Sequence, residues 1–212
     1  MTRIFAIIAV TALAAAPADA QRRNVDTIGV RGFATVGHIT FQAQDSFDAI
    51  FERHSGPIIG GGAQVLLPRG IFVEVGASRF KQEGERAFVT ATQEVFRLGI
   101  PVEVTITPLE ITGGWRYRKW PRIVPYAGAG YSAYRYRETS DFADPDENVD
   151  ARFGGFHLLG GAEYQPLRWL AVGGEVVWTS VPDALGNGGV SADFNEDNLG
   201  GTTLRLKISV GR

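Results

Sequence analysis

The stretch that decides the fold is GGTTLRLKISVGR, Gly200 to Arg212. From Thr203 it alternates without a slip. Thr203, Arg205, Lys207 and Ser209 fall on one side, and Leu204, Leu206, Ile208 and Val210 on the other. A period of two is the pattern of a β-strand, whose successive side chains point to opposite faces. One face is committed to apolar contact and the other to hydrogen bonding. The question is which face meets the outside of the molecule, and whether that outside is water or lipid.

The same alternation recurs upstream, interrupted by Pro, Gly and charge. It predicts eight strands, over residues 28–39, 57–67, 71–80, 102–118, 125–137, 152–164, 169–179 and 199–210. Three connections are short: Pro68-Arg69-Gly70, the stretch around KWPRIV (119–124), and Gln165-Pro166-Leu167-Arg168. Four are long, over 40–56, 81–101, 138–151 and 180–198. Long and short alternate strictly, so both chain ends fall on the short-turn side. A water-soluble sandwich has no reason to sort its loops this way. A barrel through an outer membrane does, with short periplasmic turns, long extracellular loops and an even strand number. Trp120, Tyr126, Tyr164 and Trp169 sit beside the short turns, and Tyr131, Tyr134, Tyr136, Phe153 and Trp178 toward the long loops. Two aromatic bands are expected where such a barrel crosses the membrane interfaces.

Charge assigns the faces. Ile71, Val73, Val75 and Ala77 oppose Glu74, Gly76 and Ser78. Leu109, Ile111, Trp115 and Tyr117 oppose Glu110, Thr112, Arg116 and Arg118. Leu170, Val172, Val176 and Trp178 oppose Glu175 and Thr179. An Arg or Lys on the lipid face costs about 2–4 kcal/mol at the midplane. The apolar face of LRLKISV therefore meets lipid and the polar face lines the inside. The interior set is Arg31, Glu74, Glu110, Arg116, Arg118, His157, Glu163, Glu175, Arg205 and Lys207. Four acids against five bases is close to neutral, and eight strands enclose a space that side chains can fill. The expectation is a lumen plugged by interlocking ion pairs. Simple pairing across the turns sets Gln64 opposite Glu74, Arg116 opposite Gly128, and His157 opposite Val177 and diagonal to Glu175.

The N-terminus agrees with export. MTRIFAIIAVTALAAAPADA has a basic start, an apolar run from Ile4 to Ala16, and small residues around Asp19. This reads as a signal peptide over 1–20, leaving one barrel domain over 21–212. The chain has no cysteine, 27 glycines, 11% aromatic residues and a net charge of −2. The near balance of charge argues against nucleic acid as a partner. Glycine and aromatics with export suit an all-β barrel.

The signal peptide, the eight alternating strands, VPYAGAGYSAYRYRE (124–138) and the alternating last strand resemble the small outer-membrane β-barrel superfamily, the OmpA/OmpX/OmpW-like group. The resemblance implies an all-β, eight-stranded antiparallel up-and-down transmembrane β-barrel in the outer membrane of a Gram-negative host. It implies monomers bathed in outer-membrane lipid and assembled by the barrel-assembly machinery. Barrels of that group usually end in an aromatic residue, whereas this chain ends Val210-Gly211-Arg212.

Candidate chemistry is sparse. Of the three histidines, His38 and His54 lie near or in the first long loop, and His157 shares the inner face with Glu163. A His–Glu pair is half of a hydrolytic triad, but no nucleophile with a supporting signature completes it. Ser132 and Ser209 are inside on other strands. The reading is a satisfied interior histidine, no enzyme and no cofactor. Asp144, Asp146, Asn148 and Asp150 are spaced by two, like the first half of a calcium loop. Val149 stands where that loop needs Gly and Gly155 where it needs Glu, so a solvated acidic loop is favoured. Function then rests on the four long loops, as contact with an unknown extracellular partner or as support of the membrane. The alternatives are porin-like passage of small apolar solutes, as in OmpW-like barrels, and a soluble periplasmic lipocalin-like carrier with its faces exchanged. FVTATQEV (88–95) still alternates, so strands three and four are expected to rise beyond the bilayer as a hairpin.

Overall fold

The computed structural model describes residues 28–90, 92–120, 122–140, 142 and 148–212. The expected signal segment, residues 1–20, lies outside the described residues. Eight strands follow in order: β1 (Gly29–Phe41), β2 (Ser55–Leu66), β3 (Ile71–Val89), β4 (Val95–Arg116), β5 (Ile123–Thr139), β6 (Val149–Leu167), β7 (Leu170–Ser180) and β8 (Gly201–Gly211). They form a closed antiparallel barrel in sequence order. β1 pairs with β8 from Arg31–Gly211 to Phe41–Gly201, so the ring has no open seam.

The faces of the last strand resolve the opening question. Leu204 and Leu206 are 64% and 63% exposed, while Arg205 and Lys207 are 8% and 3% exposed. Val30 and Val36 on β1, Val73 and Val75 on β3, Leu109 and Ile111 on β4, and Leu158 on β6 also face out. A continuous apolar belt of this extent has no place in water, and in lipid it is the favoured surface. A lipocalin-like carrier, with charge outside and apolar residues inside, is excluded. On the strands, charges return to the outer face above the belt, at Arg79, Lys81, Glu83, Arg135, Arg137 and Arg152, and below it Lys119, Arg122 and Arg168 are exposed at the short turns.

The aromatic bands are present, with corrections. Trp115, Trp120, Tyr164 and Trp169 face outward near the short turns, and Tyr131, Phe156 and Trp178 near the long loops. Tyr126 and Tyr134 are instead buried inside, and Tyr136 and Phe153 pack onto the interior core. Proximity to a rim was legible for these four, but direction was set by strand parity.

Strand lengths make the barrel lopsided. β3 to β6 run 17–22 residues, while β7, β8, β1 and β2 run 11–13. About 9–11 tilted residues span a bilayer. The short side therefore just crosses, and the tall side projects above it. The expected β3–β4 hairpin is its highest part.

Two registers differ from the simple pairing. Arg116 opposes Tyr126, not Gly128. His157 opposes Thr179, not Val177, because the turn is tighter than simple pairing assumes, with Leu167 opposite Leu170, and the β6–β7 ladder then shifts by one residue between Tyr164 and Leu167. Each slip is two residues, so every side chain keeps its face. Gln64 does oppose Glu74.

Candidate functional site

The interior has two layers. The lower one is a single connected polar network. Arg31 Nη1 donates to Glu163 Oε1 at 2.9 Å. Arg116 meets both oxygens of the same carboxylate and also donates to Gln64 Oε1 at 3.3 Å. Gln64 Nε2 donates to Glu74 Oε2 at 2.8 Å. Lys207 Nζ bridges Glu74 at 2.5 Å and Glu175 at 2.9 Å. Arg205 bridges Glu175 at 2.6 Å and Glu110 at 3.1 Å. Tyr126 Oη donates to Glu175 Oε1 at 2.7 Å. Every strand of the ring contributes a residue to this chain of contacts, which is why no local motif announces it.

Four carboxylates thus meet four cations. Arg118 does not join them. It lies beyond the end of β4, half-buried, and makes no ion pair with the described residues. It stays within electrostatic reach of Glu163, Arg116 and Arg31, at the edge of the network. Aromatic faces complete the packing: Lys207 Nζ stands 4.3 Å from the Phe33 ring centre, and the Arg116 guanidinium 5.6 Å from that of Tyr126. Such contacts favour a desolvated cation.

His157 sits above this network with no exposed surface. Its Nδ1 is 2.6 Å from Ser132 Oγ and its Nε2 is 2.8 Å from Thr112 Oγ1. Gly130 faces it across the β5–β6 ladder, and a Cβ there would come within 2.8 Å of the imidazole. The sequence reading put Ser132 on another strand without linking it to the histidine. The two are direct partners. The second ring nitrogen goes to a hydroxyl rather than to the carboxylate that a hydrolytic triad uses.

The upper layer is apolar. Ile39 and Phe41 of β1, Ile58, Phe80, Val104 and Ile106 pack with Tyr134, Val181 and Leu199. A helix missed in the first long loop, α1 (Gln44–Phe51), lies over them. Phe47 stacks on Phe41 at 4.2 Å, and Phe41 meets Phe80 edge-on at 5.0 Å. Phe47, Ile50 and Phe51 have helical spacing, but eight residues are too few for that spacing to stand out. Isolated, such a helix is marginal. Here both ends are tied by distant residues. The Glu196 carboxylate accepts from the backbone N–H of Asp45 and Ser46 at 3.1 and 2.8 Å. At the other end Arg97 of β4 donates to Ala49 O at 3.3 Å and pairs with Glu52. A carboxylate at the N-terminus and a cation at the C-terminus both suit the helix dipole. At Gly84 a Cβ would come within 2.4 Å of Ile50 O, so the missing side chain lets α1 lie close to β3.

His54 leaves the strands for this lid, with Nδ1 3.0 Å from Asp48. His38 is on β1, facing out. In the acidic loop, Asp144 and Asp146 lie outside the described residues. Asn148 Oδ1 accepts from Ser140 N at 3.2 Å. Asp150 is held by Arg135 and Arg137 at 2.6 and 3.2 Å. The hydrogen bonds from Arg135, more than those from Arg137, hold its carboxyl well below the usual carboxylate range. A carboxylate already matched by two guanidinium groups is a poor cation ligand. Cleavage of this loop by protease around Pro145 should therefore be the same with calcium as without it. Protection by calcium, with a rise in thermal stability, would restore the metal reading.

A closed antiparallel barrel with an apolar outer belt, aromatic rims and a charged, filled interior defines a class, the outer-membrane β-barrel proteins. The sequence matches the family described as Outer membrane protein beta-barrel domain over residues 5–210, and the chain belongs to it and to the outer membrane. Solved structures with the same fold include Neisserial surface protein A, 11% identical, with a TM-score of 0.54 over 86% of this chain and 96% of that one. A major outer membrane protein from Thermus thermophilus is 12% identical, with a TM-score of 0.53 over 86% and 99%. Ail, the attachment invasion locus protein of Yersinia pestis, solved with the heparin analogue sucrose octasulfate, is 8% identical, with a TM-score of 0.50 over 88% and 99%. No curated protein matches the sequence.

Proposed function

We propose that the protein is a non-enzymatic, monomeric barrel, assembled by the barrel-assembly machinery, whose role is contact at the cell surface. The β3–β4 hairpin makes the contact and the plugged barrel anchors it. The observation that carries this reading is the hairpin itself. Beyond Phe80, β3 has lost its pairing with β2, and β5 pairs with β4 only from Glu103 onward. Among the described residues, both edges of the hairpin are therefore outside the pairing of the ring, apart from the Ser140 hydroxyl donating to Pro101 O at 2.6 Å. Near the tip Phe88 and Phe96 are exposed, with ring centres 6.3 Å apart. Unpaired strand edges and exposed aromatic anchors suit a protein partner that adds a strand. Attachment is also what the name of Ail describes for that barrel.

Passage of small apolar solutes fits less well. A solute entering from outside meets first an apolar layer under α1 and then the ion-pair network. The test is attachment of intact cells to a surface coated with extracellular-matrix protein. Cells bearing Phe88→Ser with Phe96→Ser should attach roughly tenfold less well than wild type, the effect of losing an anchor worth about 1.4 kcal/mol. Equal attachment of the two strains, with equal amounts of barrel on the surface, would contradict the proposal.

A further inference from the structure

Charge is sorted by side of the membrane. The four long connections, residues 42–54, 90–94, 140–148 and 181–200, carry twelve acidic residues and a single Lys or Arg, which is Arg53. The three short ones, residues 67–70, 117–122 and 168–169, carry Arg69, Arg118, Lys119, Arg122 and Arg168 and no acidic residue. The interior pairs its carboxylates with cations of its own, so it does not offset this charge. The periplasmic end presents positive charge to whatever lies against it.

The short turns are held close to the strand ends. Tyr117 N–H donates to Pro125 O at 2.8 Å, and Gln165 N–H donates to Arg122 O at 2.9 Å. The headgroup layer is about 5–8 Å deep on each side of the hydrocarbon, so these turns stay within it. Trp115, Trp120, Tyr164 and Trp169 are exposed around the same rim, and such rings sit at headgroup level. Cations and rings come together where the β2–β3 turn meets the β4–β5 turn. Trp115 Nε1 donates to Arg69 O at 3.0 Å. Tyr117 stands edge-on to Trp115 and to Trp120, with ring centres 5.8 and 5.6 Å away. Lys119 Nζ lies 5.9 Å from the Tyr117 ring centre. Arg69 and Lys119 therefore flank one aromatic cluster. Both are exposed, and neither makes an ion pair among the described residues.

We propose that this rim binds an anionic phospholipid of the periplasmic leaflet. Arg69 and Lys119 hold its phosphodiester, and Trp115, Tyr117 and Trp120 take its glycerol backbone and upper acyl chains. Aromatic rings alone would accept a zwitterionic lipid as readily. The cations make the choice: a zwitterionic headgroup brings its own ammonium among them, whereas phosphatidylglycerol brings only negative charge. Near a membrane surface each Lys or Arg favours anionic lipid about fivefold. The site lies at the opposite end of the barrel from the β3–β4 hairpin and does not depend on the surface-contact role.

The test is lipid retention by the full barrel in detergent micelles, read by native mass spectrometry with phosphatidylglycerol and phosphatidylcholine of equal chain length. Wild type should retain phosphatidylglycerol in preference. Arg69→Gln with Lys119→Gln should weaken that retention about 25-fold and leave phosphatidylcholine unchanged, in a barrel that still resists unboiled SDS. Arg53→Gln with Arg79→Gln, two exposed cations at the other end, should change the retention of neither lipid. Equal retention of the two lipids by wild type, or equal losses of phosphatidylglycerol from the two double variants, would overturn the proposal. So would binding to peptidoglycan sacculi that Arg69→Gln with Lys119→Gln abolishes while phosphatidylglycerol retention stays at the wild-type level, since the rim would then serve the cell wall.

Discussion

Arg116→Ala should destabilise the barrel by about 3–5 kcal/mol, the usual effect of removing one partner of a buried ion pair. Arg116 is 3% exposed and joins the Glu163 carboxylate to Gln64, and through Gln64 to the Glu74–Lys207–Glu175 part of the network. Without it Glu163 keeps Arg31 and Gln165 but loses its two-point contact. The effect should exceed that of any exposed loop substitution, for which about 0.5 kcal/mol is ordinary. The measurement is the urea midpoint in lipid vesicles, with the temperature at which unboiled SDS migration collapses as a second reading. Arg31→Met, Arg116→Met and Glu163→Gln combined should be less harmful than Arg116→Ala alone, because Arg31 also pairs with Glu163 and only the triple change neutralises the carboxylate together with both of its cations. A single variant as resistant as wild type would mean that the ion pairs do not hold the lumen together.

The second large effect is on the other face of the last strand. Leu206→Arg puts a guanidinium where the chain presents a 63% exposed leucine to lipid. The cost should be about 2–4 kcal/mol if the position is near the midplane. Arg205, one residue away, is native and buried between Glu175 and Glu110. The same residue type is thus stabilising on one side of the strand and destabilising on the other. Vesicles refolded with Leu206→Arg should show a lower urea midpoint than those with Leu206→Ala. Equal midpoints would place this face in water.

The fold and its orientation were legible because they depend only on parity. In LRLKISV the charges share one face, and that conclusion survives any two-residue slip of register. The pairings of Arg116 and His157 show the limit. Turn geometry after Arg116, and the irregularity between Tyr164 and Leu167, have no residue signature, so both partners were misassigned while both faces were right. The Ser132–His157–Thr112 contacts were hidden for the same reason, since they join three strands through registers that had to be known first. Arg118 obeys the parity rule but sits past the end of its strand, where an inward direction no longer means an inward position. The lid was the least legible part. Its helix is eight residues long and is held by Glu196 and Arg97, residues far from it in sequence, so nothing local distinguishes it from the rest of a long loop.

Electrical recording in planar bilayers tests the central claim most directly. A barrel whose lumen is filled by the Arg31–Glu163–Arg116 and Lys207–Glu175–Arg205 contacts, beneath an apolar layer, should give no steady conductance in the wild type. Steady openings of defined conductance from the purified wild-type barrel would contradict the plugged lumen and favour transport over surface contact.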